Sequence, residues 1–320
     1  MFFNCLQAHF TFHISIRLCL IRMNHKIRFF MKKFITSLLM AACVQVMAAT
    51  TVVEESADGK YTIKNGEVTM TIDTNGGKIL SYKYGDAEAI SQSRFPNSFG
   101  STFWTSPQKE WNWPPVAEFD RNPYKVEKGD NLVMISEVSQ KLNYRVTKTF
   151  TTNADKSIAV TYTIKNESDE TRKVAPWEIT RVPNDGIIFF DAPIEAITPA
   201  GLMNFQPQFG LSWFVADEAQ QNRKINADGK GWLAYCANGL LMVKKFDDLE
   251  ASQPAPEEAE IQVYVNMRKT FIELESQGAY TELKPGAELK WTVTWYLSPY
   301  DGKAEASEAL KQKVKSLLKL

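Results

Sequence analysis

Apolar and polar residues alternate along much of this 320-residue chain, a pattern that predicts strands with one buried face. Residues 158–165, 261–267 and 291–297 are three such runs, rich in β-branched and aromatic side chains. An Asn-Gly-Gly sequence at residues 75–77 is typical of the turns that separate them. Further strands are predicted at residues 67–73, 78–84, 131–139, 143–151, 174–182, 202–216, 231–246 and 271–282, and irregular structure at 91–123 and 247–260. The chain is therefore predicted to be all-β.

The C-terminal end carries the one pattern typical of a helix. Leu310, Val314, Leu317 and Leu318 follow a helical spacing with lysines between them, which predicts an apolar stripe packed across one face of the strands. No fixed repeat and no interdomain linker interrupts residues 50–320. These features predict a single domain, a large antiparallel β-sandwich with one C-terminal helix.

The first 49 residues have the order of a secretory leader. Met31 is followed by two lysines, an apolar stretch at residues 34–46 and a small residue, Ala48, where a signal peptidase would cut. We interpret residues 31–49 as a signal peptide and residues 1–30 as an over-extended start or a longer leader. The apolar stretch is about 13 residues, whereas a membrane-spanning helix needs roughly 20, so no transmembrane span is predicted.

This leader predicts export to the periplasm or the cell surface. A lipoprotein is the alternative, because Cys43 follows Met40, Ala41 and Ala42 in an arrangement that resembles a lipobox. The apolar residues that follow Cys43 favour simple cleavage near Ala48 instead.

Removal of the leader changes the composition of what remains. The full sequence has 37 basic and 37 acidic residues, and six basic but no acidic ones lie in residues 1–49, which leaves a net charge of −6. An acidic chain without a basic block argues against nucleic acid as a partner. One cysteine, Cys236, and no histidine remain, so neither a disulfide nor a metal site nor a cofactor is predicted.

Three tryptophans, Trp104, Trp111 and Trp113, lie close together in a segment rich in proline and polar residues. Indole rings exposed on a loop suit sugars, because the C–H face of a pyranose stacks on an aromatic plane while polar neighbours bond its hydroxyls. The alternative is that these rings plug the end of the sandwich. Trp291 and Trp295 alternate cleanly in a strand and are predicted to be core residues.

Two strand-like segments carry polar side chains suited to a cleft. Glu273, Glu275 and Gln277 share one face of a predicted strand, where a carboxylate could act as a general base or accept sugar hydroxyls; a solvated edge is the alternative. In the other segment Trp177 and Arg181 share a face. Arginine offers a fork of donors to a sugar or a carboxylate, and pairing with an acid at the rim is the alternative.

These segments resemble the galactose mutarotase superfamily, also called the aldose 1-epimerase supersandwich. Residues 274–277, Leu-Glu-Ser-Gln, resemble the family's Leu-Glu-Thr-Gln motif, whose glutamate is the catalytic base. The segment from Thr163 through Arg181 resembles the strand, turn and strand that lead to its catalytic histidine. The likeness covers most of residues 60–300 and implies the supersandwich fold, with Glu275 as the base. Within the superfamily the chain most resembles DUF4380, a bacterial family of unknown function in which a Trp-Thr-Ser-Pro-Gln loop recurs.

The missing histidine is where the chain departs from this family. Mutarotation needs a base that takes the anomeric hydroxyl proton and an acid, histidine in the family, that protonates the ring oxygen. Trp177 falls near the histidine position, and Glu178 beside it could serve as an acid in a suitably buried site. General acid catalysis typically contributes about 10²–10⁴ in rate, so its loss favours binding over catalysis.

The predicted function is an exported carbohydrate-binding protein, accessory to bacterial sugar or polysaccharide use, with Glu275 and Gln277 lining a cleft opposite Trp177 and Arg181. The alternative is a sugar 1-epimerase in which Glu275 is the base and Glu178 the acid. A third hypothesis is a β-domain without a ligand, which would gain support if all three loop tryptophans were packed inside.

Overall fold

The computed structural model describes residues 51–93 and 99–320. Its strands form two antiparallel sheets of twelve and ten strands. The predicted leader at 1–30, the signal peptide at 31–49 and the lipobox at Cys43 lie outside the described residues. Within the described residues, no helix is both long and apolar enough to cross a membrane.

Along the chain, groups of one to six consecutive strands belong to the first sheet or to the second in turn. The first sheet contains β1 (Val52–Glu55), β2 (Lys60–Asn65), β3 (Val68–Asp73), β4 (Ile79–Tyr84), β5 (Ala87–Glu88), β6 (Ser101–Ser106), β11 (Arg172–Val182), β13 (Ile197–Thr198), β16 (Arg223–Ala227), β19 (Ile261–Val265), β20 (Ile272–Gln277) and β21 (Thr281–Leu283). The second contains β7 (Lys125–Lys128), β8 (Leu132–Ile135), β9 (Tyr144–Thr152), β10 (Ile158–Asn166), β12 (Ile187–Phe190), β14 (Gln206–Gln208), β15 (Leu211–Val215), β17 (Trp232–Ala237), β18 (Leu240–Lys245) and β22 (Glu288–Pro299). The centre of the first sheet runs in the order β4, β6, β11, β20, β19 and β16.

The main core lies between the two sheets, as the alternating sequence predicts. Every second residue of β9 and β10 is buried in it. Trp291 and Trp295 are both in this core, which confirms their predicted role. The sheets also meet through a hydrogen bond, because the Tyr82 hydroxyl on β4 donates to the Trp295 carbonyl on β22 at 2.9 Å.

The C-terminal helix, α2 (Glu308–Leu318), covers the opposite face of the second sheet. Leu310, Val314 and Leu318 are buried against Phe189 and Trp213, which alternate along β12 and β15 with residues of the main core. The predicted packing of an apolar helical stripe is therefore confirmed. The strands β12, β15, β17 and β18 are consequently buried on both faces along most of their length.

Ser307 begins this helix with a side-chain cap. Its hydroxyl accepts a hydrogen bond from the backbone N–H of Leu310 at 3.3 Å. We expect Ser307→Ala to lower the free energy of unfolding by about 1 kcal/mol, because that N–H loses its partner. Urea denaturation measures the change, with Ser307→Thr as the variant that keeps an oxygen in place. Equal midpoints for the alanine variant and the wild type would show that this cap adds nothing.

Parts of the predicted element pattern were wrong in detail. The segment predicted to be irregular contains β6, whose six residues are all buried, and a short helix, α1 (Ala117–Asp120). Ser101 and Thr102 of β6 are bonded locally: Ser101 donates to the Ile179 carbonyl and lies 2.9 Å from the Thr180 hydroxyl, and Thr102 donates to Asp120. The buried hydroxyls of Thr105 and Ser106 have no hydrogen-bond partner among the described residues. The predicted strand at residues 202–216 is instead a pair of short strands, β14 and β15.

Candidate functional site

A cavity of about 350 Å³ lies on the face of the first sheet that points away from the core. Ile272 and Leu274 of β20 point into the core, so Glu273 and Glu275, which alternate with them, project from the other face. Below, this space is called the tryptophan cavity. Its lining residues are Trp104, Gln108, Trp113, Trp177, Arg181, Lys224, Tyr264, Asn266, Phe271, Glu273 and Glu275.

Strand register explains how distant residues reach this cavity. Trp177 on β11 pairs directly with Trp104 on β6, and Arg181 pairs with Glu273 on β20. Glu273 pairs in turn with Tyr264 on β19. Directly paired residues place their side chains on the same face of a sheet, so four strands contribute to one surface.

The Glu275 carboxylate is held at the floor of the tryptophan cavity. Its Oε2 accepts hydrogen bonds from Trp177 Nε1 at 2.8 Å and from Lys224 Nζ at 2.9 Å. Only 1% of the Glu275 side chain is exposed, whereas 35% of the Lys224 side chain is. Oε1 has no hydrogen-bond partner among the described residues, so this oxygen can accept a hydrogen bond from a ligand hydroxyl group.

Glu273 forms a second buried ion pair beside it. Arg181 Nε donates to Glu273 Oε1 at 2.9 Å, and the guanidinium lies 5.7 Å from the centre of the Trp104 ring. Burial raises the pKa of the Glu273 carboxyl, against the opposing charge of Arg181, and the nearby charge of Glu275 raises it further. Arg181 therefore pairs with an acid, which was the alternative given for it in the sequence analysis, and it also lines the cavity.

Trp113 is the most accessible aromatic surface of the site. Its side chain is 70% exposed, and its ring lies 6.2 Å from that of Trp104, nearly perpendicular to it. Trp104 is buried, packs edge-on against Trp177 at 5.3 Å and donates from Nε1 to Asp120 at 2.9 Å. Of the three loop tryptophans, Trp113 alone therefore offers an open ring face for stacking.

Trp111 does not line the tryptophan cavity. It is 2% exposed, and its Nε1 donates to the Thr105 carbonyl at 2.8 Å. Its ring packs behind Trp104, at 5.6 Å, and near Trp177, at 6.5 Å. The expected stacking role was wrong for Trp111, because the loop folds inward there. It supports the cavity wall from behind.

Gln277 also lies outside the tryptophan cavity, although it shares the face of Glu273 and Glu275. The side chain is fully buried, and Nε2 donates to Glu258 Oε2 at 3.1 Å. The direct lining role predicted for Gln277 was therefore wrong, since a neighbouring carboxylate occupies its donor group.

Glu178 lies on the opposite face of β11 from Trp177, inside the sandwich. Its side chain and that of Lys244 are both 0% exposed, and Lys244 Nζ lies 2.8 Å from Glu178 Oε1. The Tyr162 hydroxyl donates to Oε2. The pairing of Glu178 with Glu275 across a bound sugar was therefore wrong, because adjacent strand residues point to opposite faces and the sheet separates the two carboxylates.

Solved structures with low sequence identity share this architecture. A putative aldose 1-epimerase from Escherichia coli K12 is 15% identical, with a TM-score of 0.54, and covers 75% of this chain and 99% of its own. A galactose mutarotase-like protein from Lactobacillus casei is 12% identical, with a TM-score of 0.57, and covers 75% of this chain and 100% of its own. A galactose mutarotase related enzyme from Lactobacillus acidophilus is 11% identical, with a TM-score of 0.53, and covers 76% of this chain and 99% of its own.

The fold is galactose mutarotase-like. The supersandwich predicted from the sequence is thereby confirmed. No family model and no curated protein matches the chain, so the closer resemblance to DUF4380 stays a prediction. The likeness is one of fold, and the chemistry depends on this chain's own residues.

Within this galactose mutarotase-like fold, the sequence missed several residues of the site: Gln108, Lys224, Tyr264, Asn266 and Phe271. Lys224 lies on β16, whose alternation of buried and half-buried residues covers only five positions. Tyr264 lies within a predicted strand, at a position between two buried apolar residues. That spacing is the one signal that indicated an outward-facing side chain.

Tyr264 adds a phenol to the polar side of the cavity. Asn266 Nδ2 donates to its hydroxyl oxygen at 3.1 Å. Burial raises the pKa of Tyr264, so the phenol keeps its proton at neutral pH and can donate it in a hydrogen bond. The cavity therefore combines open aromatic surface, buried acceptors and several donors.

Proposed function

We propose that this chain is an exported carbohydrate-binding protein that acts in bacterial sugar or polysaccharide use. One observation carries the proposal: the tryptophan cavity places an exposed ring, Trp113, and a buried carboxylate with a free oxygen, Glu275, in the same lining. A pyranose has an apolar C–H face and a rim of hydroxyls, and these two features of the cavity complement both.

Hydroxyl groups both donate and accept hydrogen bonds, and the cavity supplies partners for each. Glu275 Oε1 is an acceptor, while Arg181, Lys224 and Tyr264 carry donors in the same lining. Arg181 and Lys224 already neutralise Glu273 and Glu275 through ion pairs. A neutral sugar therefore enters without leaving an uncompensated charge in the site.

Binding rather than catalysis is favoured because the general acid that would protonate the ring oxygen is missing from the position where the resemblance places it. Trp177 stands there, and an indole does not donate a proton to a sugar at neutral pH. Glu178 is closed off inside the sandwich. The proposal of export depends on the leader pattern at residues 31–49.

A sugar 1-epimerase is the second candidate, with Lys224 rather than Glu178 as the acid. The observation that favours it is the ammonium 2.9 Å from the Glu275 carboxylate in one cavity. Glu275 would take the proton of the anomeric hydroxyl while Lys224 gives one to the ring oxygen. The bond between the anomeric carbon and the ring oxygen then breaks, and an aldehyde forms. Rotation and the reverse step return both protons.

Replacement of Trp113 by alanine tests the binding proposal directly. We expect the affinity for the glycans that the wild type retains on an array to fall at least about tenfold, because the open stacking face is lost. Isothermal titration calorimetry with the best-retained glycan measures the change. Thermal stability should be unaffected, since the ring is 70% exposed.

Phe209→Ala is the matched control for this variant. Phe209 is also an exposed aromatic residue, 44% accessible, but it does not line the tryptophan cavity. It should leave glycan affinity unchanged. Equal losses for both variants, or none for Trp113→Ala, would contradict a stacking role for this cavity.

A further inference from the structure

A second cavity, of about 540 Å³, adjoins the tryptophan cavity. Gln108 and Trp113 line both spaces, so the exposed indole stands between them. We call this second space the outer cavity; its other lining residues are Pro107, Lys109, Asn112, Pro256, Glu257 and Glu258. An aromatic ring shared by two adjoining spaces suits a ligand that extends past it.

Glu258 is the best-fixed polar group of the outer cavity. Its Oε2 accepts from Gln262 Nε2 at 2.7 Å and from Gln277 Nε2 at 3.1 Å. Both glutamines are fully buried, on β19 and β20, so the amides that hold the carboxylate are themselves enclosed by the fold. Glu258 Oε1 has no hydrogen-bond partner among the described residues. One carboxylate oxygen is thus fixed and the other is free to accept.

The same face of β20 therefore supports an acceptor in each cavity. Glu275 projects into the tryptophan cavity, and Gln277, two residues further along the strand, holds Glu258 in the outer one. A preorganised acceptor loses little side-chain entropy when a ligand hydroxyl arrives, which makes it worth more in binding than a free surface carboxylate.

We propose that the outer cavity is a second sugar subsite and that the ligand is an oligosaccharide or polysaccharide rather than a free monosaccharide. One unit occupies the tryptophan cavity, the next passes Trp113, and Glu258 accepts a hydroxyl from it. This inference rests on the proposed carbohydrate-binding function and specifies the class of its ligand.

The charges of the two cavities indicate that the glycan is neutral. Their basic lining residues are Lys109, Arg181 and Lys224, and their acidic ones are Glu257, Glu258, Glu273 and Glu275. Arg181 and Lys224 are already used in ion pairs with Glu273 and Glu275. The outer cavity then has two carboxylates, Glu257 and Glu258, against one ammonium, Lys109, and this net negative charge would repel uronic or sulfated sugars.

A glycan array of mono- to hexasaccharides of glucose, galactose, mannose and xylose, with sulfated and uronic members, selects the probes. Calorimetry then compares the best-retained neutral oligosaccharide with its own monosaccharide. We expect the wild type to bind the longer chain at least about tenfold more tightly. Glu258→Gln should lose that gain while its affinity for the monosaccharide stays unchanged.

Glu257→Gln is the matched control, because Glu257 lines the same cavity but neither buried glutamine binds its carboxylate. It should keep most of the chain-length gain. Lys109→Ala removes an exposed ammonium from the lining of the same cavity. It provides a second variant if Glu258→Gln folds poorly, and it should reduce the gain.

The outcomes separate this inference from the function on which it rests. If the wild type binds the monosaccharide and the oligosaccharide equally well, and Glu258→Gln changes neither affinity, the outer subsite is contradicted. The binding function itself would not be affected by that result. A preference for sulfated or uronic chains would overturn the neutral class. No retention of any glycan would overturn both proposals.

Discussion

Replacement of Lys244 by methionine is expected to lower the free energy of unfolding by about 3–5 kcal/mol. Lys244 and Glu178 are both fully buried and lie 2.8 Å apart, so the variant leaves a carboxylate in the core without its cation. Burial lowers the pKa of Lys244, which the charge of Glu178 counteracts. Urea denaturation at neutral pH measures the loss.

A matched surface pair provides the control. Lys64 and Glu54 lie 2.7 Å apart, but both side chains are about half exposed. Lys64→Met should change stability by less than about 1 kcal/mol, since water already screens that pair. A similar loss at both positions would show that the effect comes from lysine removal in general.

The double variant Lys244→Met with Glu178→Gln separates lost charge balance from lost packing. It removes both charges and keeps an acceptor for the Tyr162 hydroxyl, so it should recover a large part of the stability lost in Lys244→Met. A double variant less stable than the single one would mean that the carboxylate, rather than the ion pair, holds this region together.

Lys244 also connects the core to the candidate site. It projects from β18 of the second sheet, and its Nζ donates to the Thr180 hydroxyl and to the Leu274 carbonyl, each at 3.1 Å. Thr180 belongs to β11 and Leu274 to β20, the strands that carry Trp177, Arg181, Glu273 and Glu275. The buried charge therefore fixes those two strands from behind.

The sequence could predict which side chains share a face, because strand alternation depends only on local order. It placed Glu273 and Glu275 together, and Trp177 with Arg181, and the structure confirms both pairs. Register between strands depends on the whole sheet. Alternation alone therefore could not show that Lys224, from β16, would reach Glu275.

Two kinds of residue escaped prediction for a different reason. β6 is buried on both faces and carries Ser and Thr beside its aromatic residues, so it has neither alternation nor an apolar run. Trp111 and Trp113 are two residues apart in an irregular segment, yet one is buried and the other is exposed. Backbone path, rather than residue type, decides the exposure of such residues.

Replacement of Glu275 by glutamine is expected to reduce glycan affinity by about 10- to 100-fold. The variant removes a charged acceptor, and a hydrogen bond to a charged group contributes about 1.5–3 kcal/mol. The fold should tolerate the change, because a glutamine oxygen can still accept from Trp177 and the 35%-exposed Lys224 can turn to water. Calorimetry with the array-selected glycan measures the affinity, and melting temperature checks the fold. Glu282→Gln, at an exposed glutamate on β21, should change neither.

The same variant distinguishes binding from epimerisation. A one-dimensional NMR time course of freshly dissolved α-glucose and α-galactose reports anomer exchange, and a binding protein leaves its rate at the spontaneous value. If the wild type accelerates exchange and both Glu275→Gln and Lys224→Met abolish the acceleration, the cavity is an epimerase site with a lysine acid. If affinity falls in Glu275→Gln while exchange was never accelerated, the carboxylate serves as an acceptor alone. Glu275 corresponds to the glutamate that is the catalytic base in the family that residues 274–277 resemble. In this chain it would then bind a sugar without a partner acid.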